Sequence, residues 1–169
     1  MEFTNFREVD LEKPVHLVGQ YLLIDPCYVI PDEMWDSFCS EISDLGDNPM
    51  AFDLNGETAI VFGTAYGDGC YPVDDSHNCE IVGECGVDAE LLSFLPADEE
   101  VLKGKYGNHS LGVLVDLDAE FEHEGGDARV GNISVLTGGH FTKDDEYENY
   151  YDEDTEEEEY EDAYEDEDE

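Results

Sequence analysis

Positive charge is scarce in this chain. Its 169 residues include six Lys and Arg (Arg7, Lys13, Lys103, Lys105, Arg129, Lys143) against 47 Asp and Glu, a formal net charge of −41. Binding nucleic acid or an anionic membrane requires Lys and Arg to replace counterions, so direct binding to either is excluded. Long apolar runs are missing as well: none approaches the roughly 18–20 residues that span a bilayer. The opening stretch MEFTNFREVDLEKP has no basic start followed by an apolar segment, so no secretory leader is expected. Five cysteines (Cys27, Cys39, Cys70, Cys79, Cys85) make an odd count with no CxxC pair. Free thiols in a reducing cytosol follow from that usage.

Signatures of catalysis are equally sparse. His109 and Ser110 are adjacent, but no G-x-S-x-G or nucleophile–base pattern surrounds them. No GxxxxGK[ST] or GxGxxG phosphate loop is present, and no cofactor is expected. The acid cluster DLDAEFEHE lacks the sixth-position glycine of an EF-hand loop, so no dedicated metal site is read there.

What the chain has in excess is acid, unevenly placed. Residues 144–169 hold 18 acids and no base, leaving 29 acids and six bases in residues 1–143. The body alone therefore carries −23, far more than solubility needs. Two regions are expected: an acidic β-rich globular domain over 1–143 and a disordered Asp/Glu/Tyr-rich tail over 144–169, where aliphatic periodicity stops and self-repulsion keeps the chain extended.

Within the body, Val15 to Asp25 is apolar and β-branched enough for a strand. PDEMWDSFCSEI has Pro31 near its start and apolar residues at helical spacing (Met34, Trp35, Phe38, Cys39, Ile42), which predicts a short helix. Asn55-Gly56 between two alternating runs predicts a hairpin. Further strands are expected at CEIVGECGV, LGVLVDLDAEFEHE and ARVGNISVLT, and a second short helix near DEEVLKG. The fold class is mainly β (α+β), a compact antiparallel sheet or barrel-like domain with one or two short helices.

Three segments resemble a group of small proteins of bacteria and their phages. LLIDPCYVIPDEMW (22–35), GTAYGDGCYPV (63–73) and GVDAELLSFLP (86–96) follow the order DPCY then Trp, GDG-x-Y, and VDA-x-L leading to proline. The resemblance covers roughly residues 15–140 and implies an origin in bacteria or their phages and a compact β-rich fold, without a mechanism. Where a small residue is expected after the alanine of VDA, this chain has Glu90.

Three constellations remain. Cys70, His77, Cys79 and Cys85 nominally make a Cys3His set, but no two cysteines have zinc-knuckle spacing. By alternation Cys79, Ile81 and Cys85 share one strand face, which reads as core thiols. Asp68 and Tyr71 in the YGDGCY turn are candidates for a functional loop, although the same glycines serve any tight turn. Asp25-Pro26 reads as a strand end.

The most informative stretch is VDLDAEFEHE. Val115, Leu117, Ala119 and Phe121 alternate with Asp116, Asp118, Glu120, Glu122 and Glu124, so a strand would bury one face and line carboxylates along the other. An edge strand kept soluble by charge is the plain reading; a partner-binding row is the functional one. The tail offers further contacts (Asp152, Glu153, Asp154, Glu156, Glu157, Glu158, Glu159) and tyrosines such as Tyr160 and Tyr164 that would stack in a single-strand groove. The functional expectation is a non-enzymatic polyanionic inhibitor or decoy of a basic, nucleic-acid-binding host protein, similar in charge to phage DNA-mimic proteins. The alternatives are a small-ligand-binding or enzymatic β domain using the GDG turn, and an acidic chaperone of a basic virion protein.

Overall fold

Short apolar runs and one long alternating run, separated by turn residues, are folded into sheet in a computed structural model of the chain. The structure describes residues 1–10, 12–43, 48–77, 79–105, 107 and 109–138. The elements run β1 (Phe3–Glu8), β2 (His16–Ile24), α1 (Asp32–Glu41), β3 (Met50–Leu54), β4 (Glu57–Gly63), β5 (Gly69–Asp75), β6 (Glu80–Val87), β7 (Leu91–Pro96), α2 (Glu99–Lys103), β8 (Val113–Glu124), β9 (Asp127–Val130) and β10 (Ile133–Val135). A 3₁₀ turn over Pro26–Tyr28 separates β2 from α1.

The fold is mainly β. Among the described residues ten strands form one antiparallel sheet in the order β1-β3-β4-β7-β2-β8-β9-β10-β5-β6. The sheet is open, with β1 and β6 as its edges, and it curls about β8. That strand pairs with β2 through its first eight residues and with β9 through its last four. Curling brings Val73, Cys85 and Val87 of β5 and β6 into one core with Leu23 of β2, Phe62 of β4 and Phe94 of β7.

A second core lies on the other side of β2, β3, β4 and β7, beneath the helices. The run Leu22-Leu23-Ile24 feeds both, Leu23 inward and its neighbours toward the helices, which is why it does not alternate with polar residues. Asp32 and Glu33 in the first turn of α1 face the positive end of its dipole. Phe38, fully buried on that helix, meets Phe3 at 5.4 Å, Phe52 at 5.5 Å and Phe6 at 5.9 Å between ring centroids.

Asn55 and Gly56 take φ of 51° and 88°, the positive pair of a two-residue hairpin turn. ARVGNISVLT departs from the expected single strand: it breaks at Gly131-Asn132, and Val130 pairs back on Ile133. Gly131 (φ 63°) supplies the left-handed residue of that turn. Strands β1 and β5 carry weak signals, because Asn5 (φ 57°) sits in a bulge of one and Pro72 interrupts the other. The expected tail lies outside the described residues. Among the described residues no helix is long and apolar enough to cross a membrane.

Gly112 precedes β8 where that strand meets β2, and a Cβ there would lie 2.7 Å from both Ile24 Cβ and the Leu23 carbonyl oxygen. Gly112→Ala is expected to cost about 1–3 kcal/mol through overpacking. Urea unfolding measures this, and an unchanged midpoint would contradict the close approach.

Candidate functional site

The alternation read in VDLDAEFEHE is realised in β8. Val113, Val115, Leu117 and Phe121 are buried, while Asp116, Asp118, Glu120, Glu122 and Glu124 are all exposed on the opposite face. Next neighbours along this row stand about 6.8 Å apart. The strand is central, flanked by β2 and β9, so its charge does not protect an edge.

Flanking strands complete the surface. Register places His16, Val18 and Gln20 of β2 opposite Glu120, Asp118 and Asp116. His16 Nε2 lies 2.9 Å from Asp118 Oδ1, with both side chains largely exposed. On the other side Arg129 of β9 stands opposite Glu122, while Asp127, opposite Glu124, is fully buried and adds no charge to the surface. Gly138, the last described residue, donates its N–H to Asp127 Oδ1. The chain therefore leaves the described body beside the end of the acidic row. The tail positions Asp152, Glu153, Asp154, Glu156, Glu157, Glu158, Glu159, Tyr160 and Tyr164 lie outside the described residues.

The three segments that carry the resemblance converge at one corner, around a carboxylate. Asp25 is fully buried, caps the 3₁₀ turn and accepts from Cys27 N (2.9 Å), Asp88 N (2.7 Å) and Ala89 N (2.8 Å). The DPCY and VDA segments are thus tied by a single side chain, and Tyr28 adds a hydroxyl bond to the Asp88 carboxylate. Asp68 of the GDG turn accepts from Glu90 N at 3.0 Å, and Tyr71 donates its hydroxyl to Gly67 O at 2.8 Å. The candidate loop residues Asp68 and Tyr71 therefore hold backbone together. Glu90 itself has φ 60°, a left-handed conformation that suits glycine.

This corner contains thiols but suppresses their chemistry. Burial, then the Asp25 charge, pushes the Cys27 thiol up to about 12. Cys85 is likewise pushed up to about 12 by burial and then Asp25, and its thiol meets Leu23 O at 3.2 Å. Neither is a thiolate nucleophile at neutral pH. Tyr28 is also raised, by burial first and the Asp88 bond second.

One expectation is corrected. Cys79 and Ile81 do not share the core face with Cys85: both are exposed, and Cys85 is buried. A bulge sets Val73 against Gly83 and Asp74 against Ile81, so Val82 is the extra residue and alternation reverses on either side of it. The nominal zinc set is accordingly split, with Cys70, His77 and Cys79 exposed and Cys85 in the core. Among the described residues no group of three or more His, Cys, Asp or Glu side chains is placed to hold a metal ion.

The central role of Asp25 was missed in the sequence, where Asp-Pro reads as a strand end. The signal was present: Asp followed by Pro is a cap and first-turn pair. The contributions of His16, Val18 and Gln20 were also missed, because strand neighbours are set by topology. Comparison with known protein families, with curated proteins and with solved structures finds no match to this chain. Its residues alone carry the functional reading.

Burial raises the Asp25 pKa above its ordinary 3.8 despite the three amide donors. A raised folded pKa means the folded state holds the proton more tightly. This contribution to stability is complete below the unfolded pKa and is lost as pH rises through the folded value. Asp25→Asn turns an amide toward backbone N–H donors and is expected to cost about 1–3 kcal/mol. Its deficit relative to wild type, from urea unfolding, should narrow between acid and neutral pH. A widening deficit would mean that the amide donors outweigh burial.

Proposed function

We propose that the protein is a non-enzymatic polyanionic inhibitor, phage-encoded, that occupies the basic nucleic-acid-binding site of a bacterial host protein. The observation that carries this reading is the outward row of five carboxylates on a central strand. Asp and Glu are poor strand formers, and like charges in a row oppose folding, so local stability does not call for them. A ligand surface does.

Density decides how far one row can go. Duplex DNA presents about one charge per 1.7 Å, against one per about 6.8 Å along the row. The row therefore imitates a phosphate backbone only in combination with the other acids of the body and the 18 carboxylates of residues 144–169. The row and adjacent strands supply contacts of fixed shape; the C-terminal segment supplies long-range attraction that weakens steeply with salt. Both sheet edges carry register shifts, in β1 between Thr4 and Arg7 and in β6 opposite Val73 and Asp74. Irregular edges blunt strand addition, which favours recognition through the face. A ligand site at the GDG turn is less favoured, since Asp68 and Tyr71 are engaged with backbone groups.

A pull-down from bacterial lysate with the full chain should capture a nucleic-acid-binding protein that added DNA displaces. Neutralising the row (Asp116→Asn, Asp118→Asn, Glu120→Gln, Glu122→Gln, Glu124→Gln) should leave the fold intact and reduce that capture at least ten-fold. Capture limited to abundant basic proteins and lost at modest salt would overturn the reading. Deleting residues 144–169 should slow association with the captured protein more than it speeds dissociation. The reverse, measured by surface-binding kinetics, would contradict the division of labour between body and tail.

A further inference from the structure

A groove lies on the same face as the acidic row. Residues directly opposite on paired strands project to the same side, and the register runs Glu122, Arg129, Ser134, Asp74, Ile81 from β8 through β9, β10 and β5 to β6. At about 4.8 Å per strand, Ile81 stands about 19 Å from Glu122 along that line. The groove encloses about 760 Å³, bordered by Asp74, Glu80 and Ile81 and by Arg129, Ser134 and Leu136. Ile81, Leu136 and Cys79 give it an apolar wall among otherwise polar and charged residues, and its volume is in the range of binding clefts.

Ile81 is 64% exposed because the Val82 bulge turns it outward. A lone exposed isoleucine is ordinary; one at the rim of this groove, beside Glu80 and opposite Asp74, forms a mixed surface. Charge selects the occupant. The chain's own residues 144–169, with 18 acids and no base, would bring like charge to Asp74 and Glu80, and so would a second copy. With Asp74, Asp75 and Glu80 against Arg129 the lining is net negative, and a cationic segment meets it with opposite charge.

Resting on the function proposed above, we infer that this groove receives an apolar side chain flanked by Lys or Arg on the protein partner. The acidic row then attracts the partner at a distance, while the groove holds it by a contact that salt does not screen. The partner surface implied is basic with an apolar residue at its centre, in contrast to a uniformly basic strip.

Two capped peptides test this on the full chain: Lys-Arg-Leu-Lys-Arg and Lys-Arg-Ser-Lys-Arg, titrated by amide NMR at 0.05 and 0.3 M salt. At 0.3 M the leucine peptide should bind at least five-fold more tightly, shifting the amides of Ile81, Arg129 and Ser134. Ile81→Thr, a conservative exposed change, should bring the ratio below two. The amide shifts in the wild-type protein locate the site without depending on any variant. Equal affinity of the two peptides, or a preference that survives Ile81→Thr, overturns the groove and leaves the charge reading standing. Binding of neither peptide at 0.05 M overturns both.

Discussion

Val113, Val115, Leu117 and Phe121 turn inward from β8 while Asp116, Asp118, Glu120, Glu122 and Glu124 turn outward, and both halves of the sheet are hydrogen-bonded to this strand. The two faces differ greatly in energy. Each inward side chain contributes about 1.5–3 kcal/mol by burial. Each neighbouring carboxylate pair, about 6.8 Å apart, repels by about 0.6 kcal/mol in water, and screening at physiological salt reduces this by about half. Four such pairs cost about 1 kcal/mol, well below what the inner face supplies. The strand can therefore keep an acidic row while holding the fold together. One-residue slippage of its pairing would drive every carboxylate into the core, so register is tightly specified.

The second constraint sits at the Asp25 corner. Its carboxylate gathers three amides from two distant segments, and the GDG turn is fastened to the same loop through Asp68 and Glu90. The motif residues most suggestive of chemistry are thus engaged in shaping a junction between β2, β7 and the turn before β5. Burial of Cys27 and Cys85 removes the thiols nearest to Asp25 from nucleophilic use. The outer face carries the carboxylates of β8, and the groove bordered by Ile81 and Leu136 lies on the same side of the sheet.

Legibility in the sequence followed the range of the interactions. The hairpin at Asn55-Gly56, helix α1 and the two faces of β8 depend on neighbours within a few residues, and all could be read directly. The break at Gly131-Asn132 was equally local but hidden in a run of apolar residues. The groove was not legible, because it requires β5, β6, β9 and β10 to be ordered side by side. The inward placement expected for Ile81 failed for a single-residue reason: Val82 bulges, and a two-residue period cannot survive an insertion of one. Asp25 was legible as a cap, whereas its reach to Asp88 and Ala89 depended on how β7 returns to β2.

The central claim is that partners meet the outer face of β8. Zero-length carbodiimide coupling of carboxylates to lysines, applied to the complex with the captured host protein and mapped by mass spectrometry, addresses it most directly. The account predicts links from Asp116, Asp118, Glu120, Glu122 or Glu124 to lysines in the partner's nucleic-acid site. Links confined to residues 144–169, or to acids of the helices α1 and α2, would contradict it.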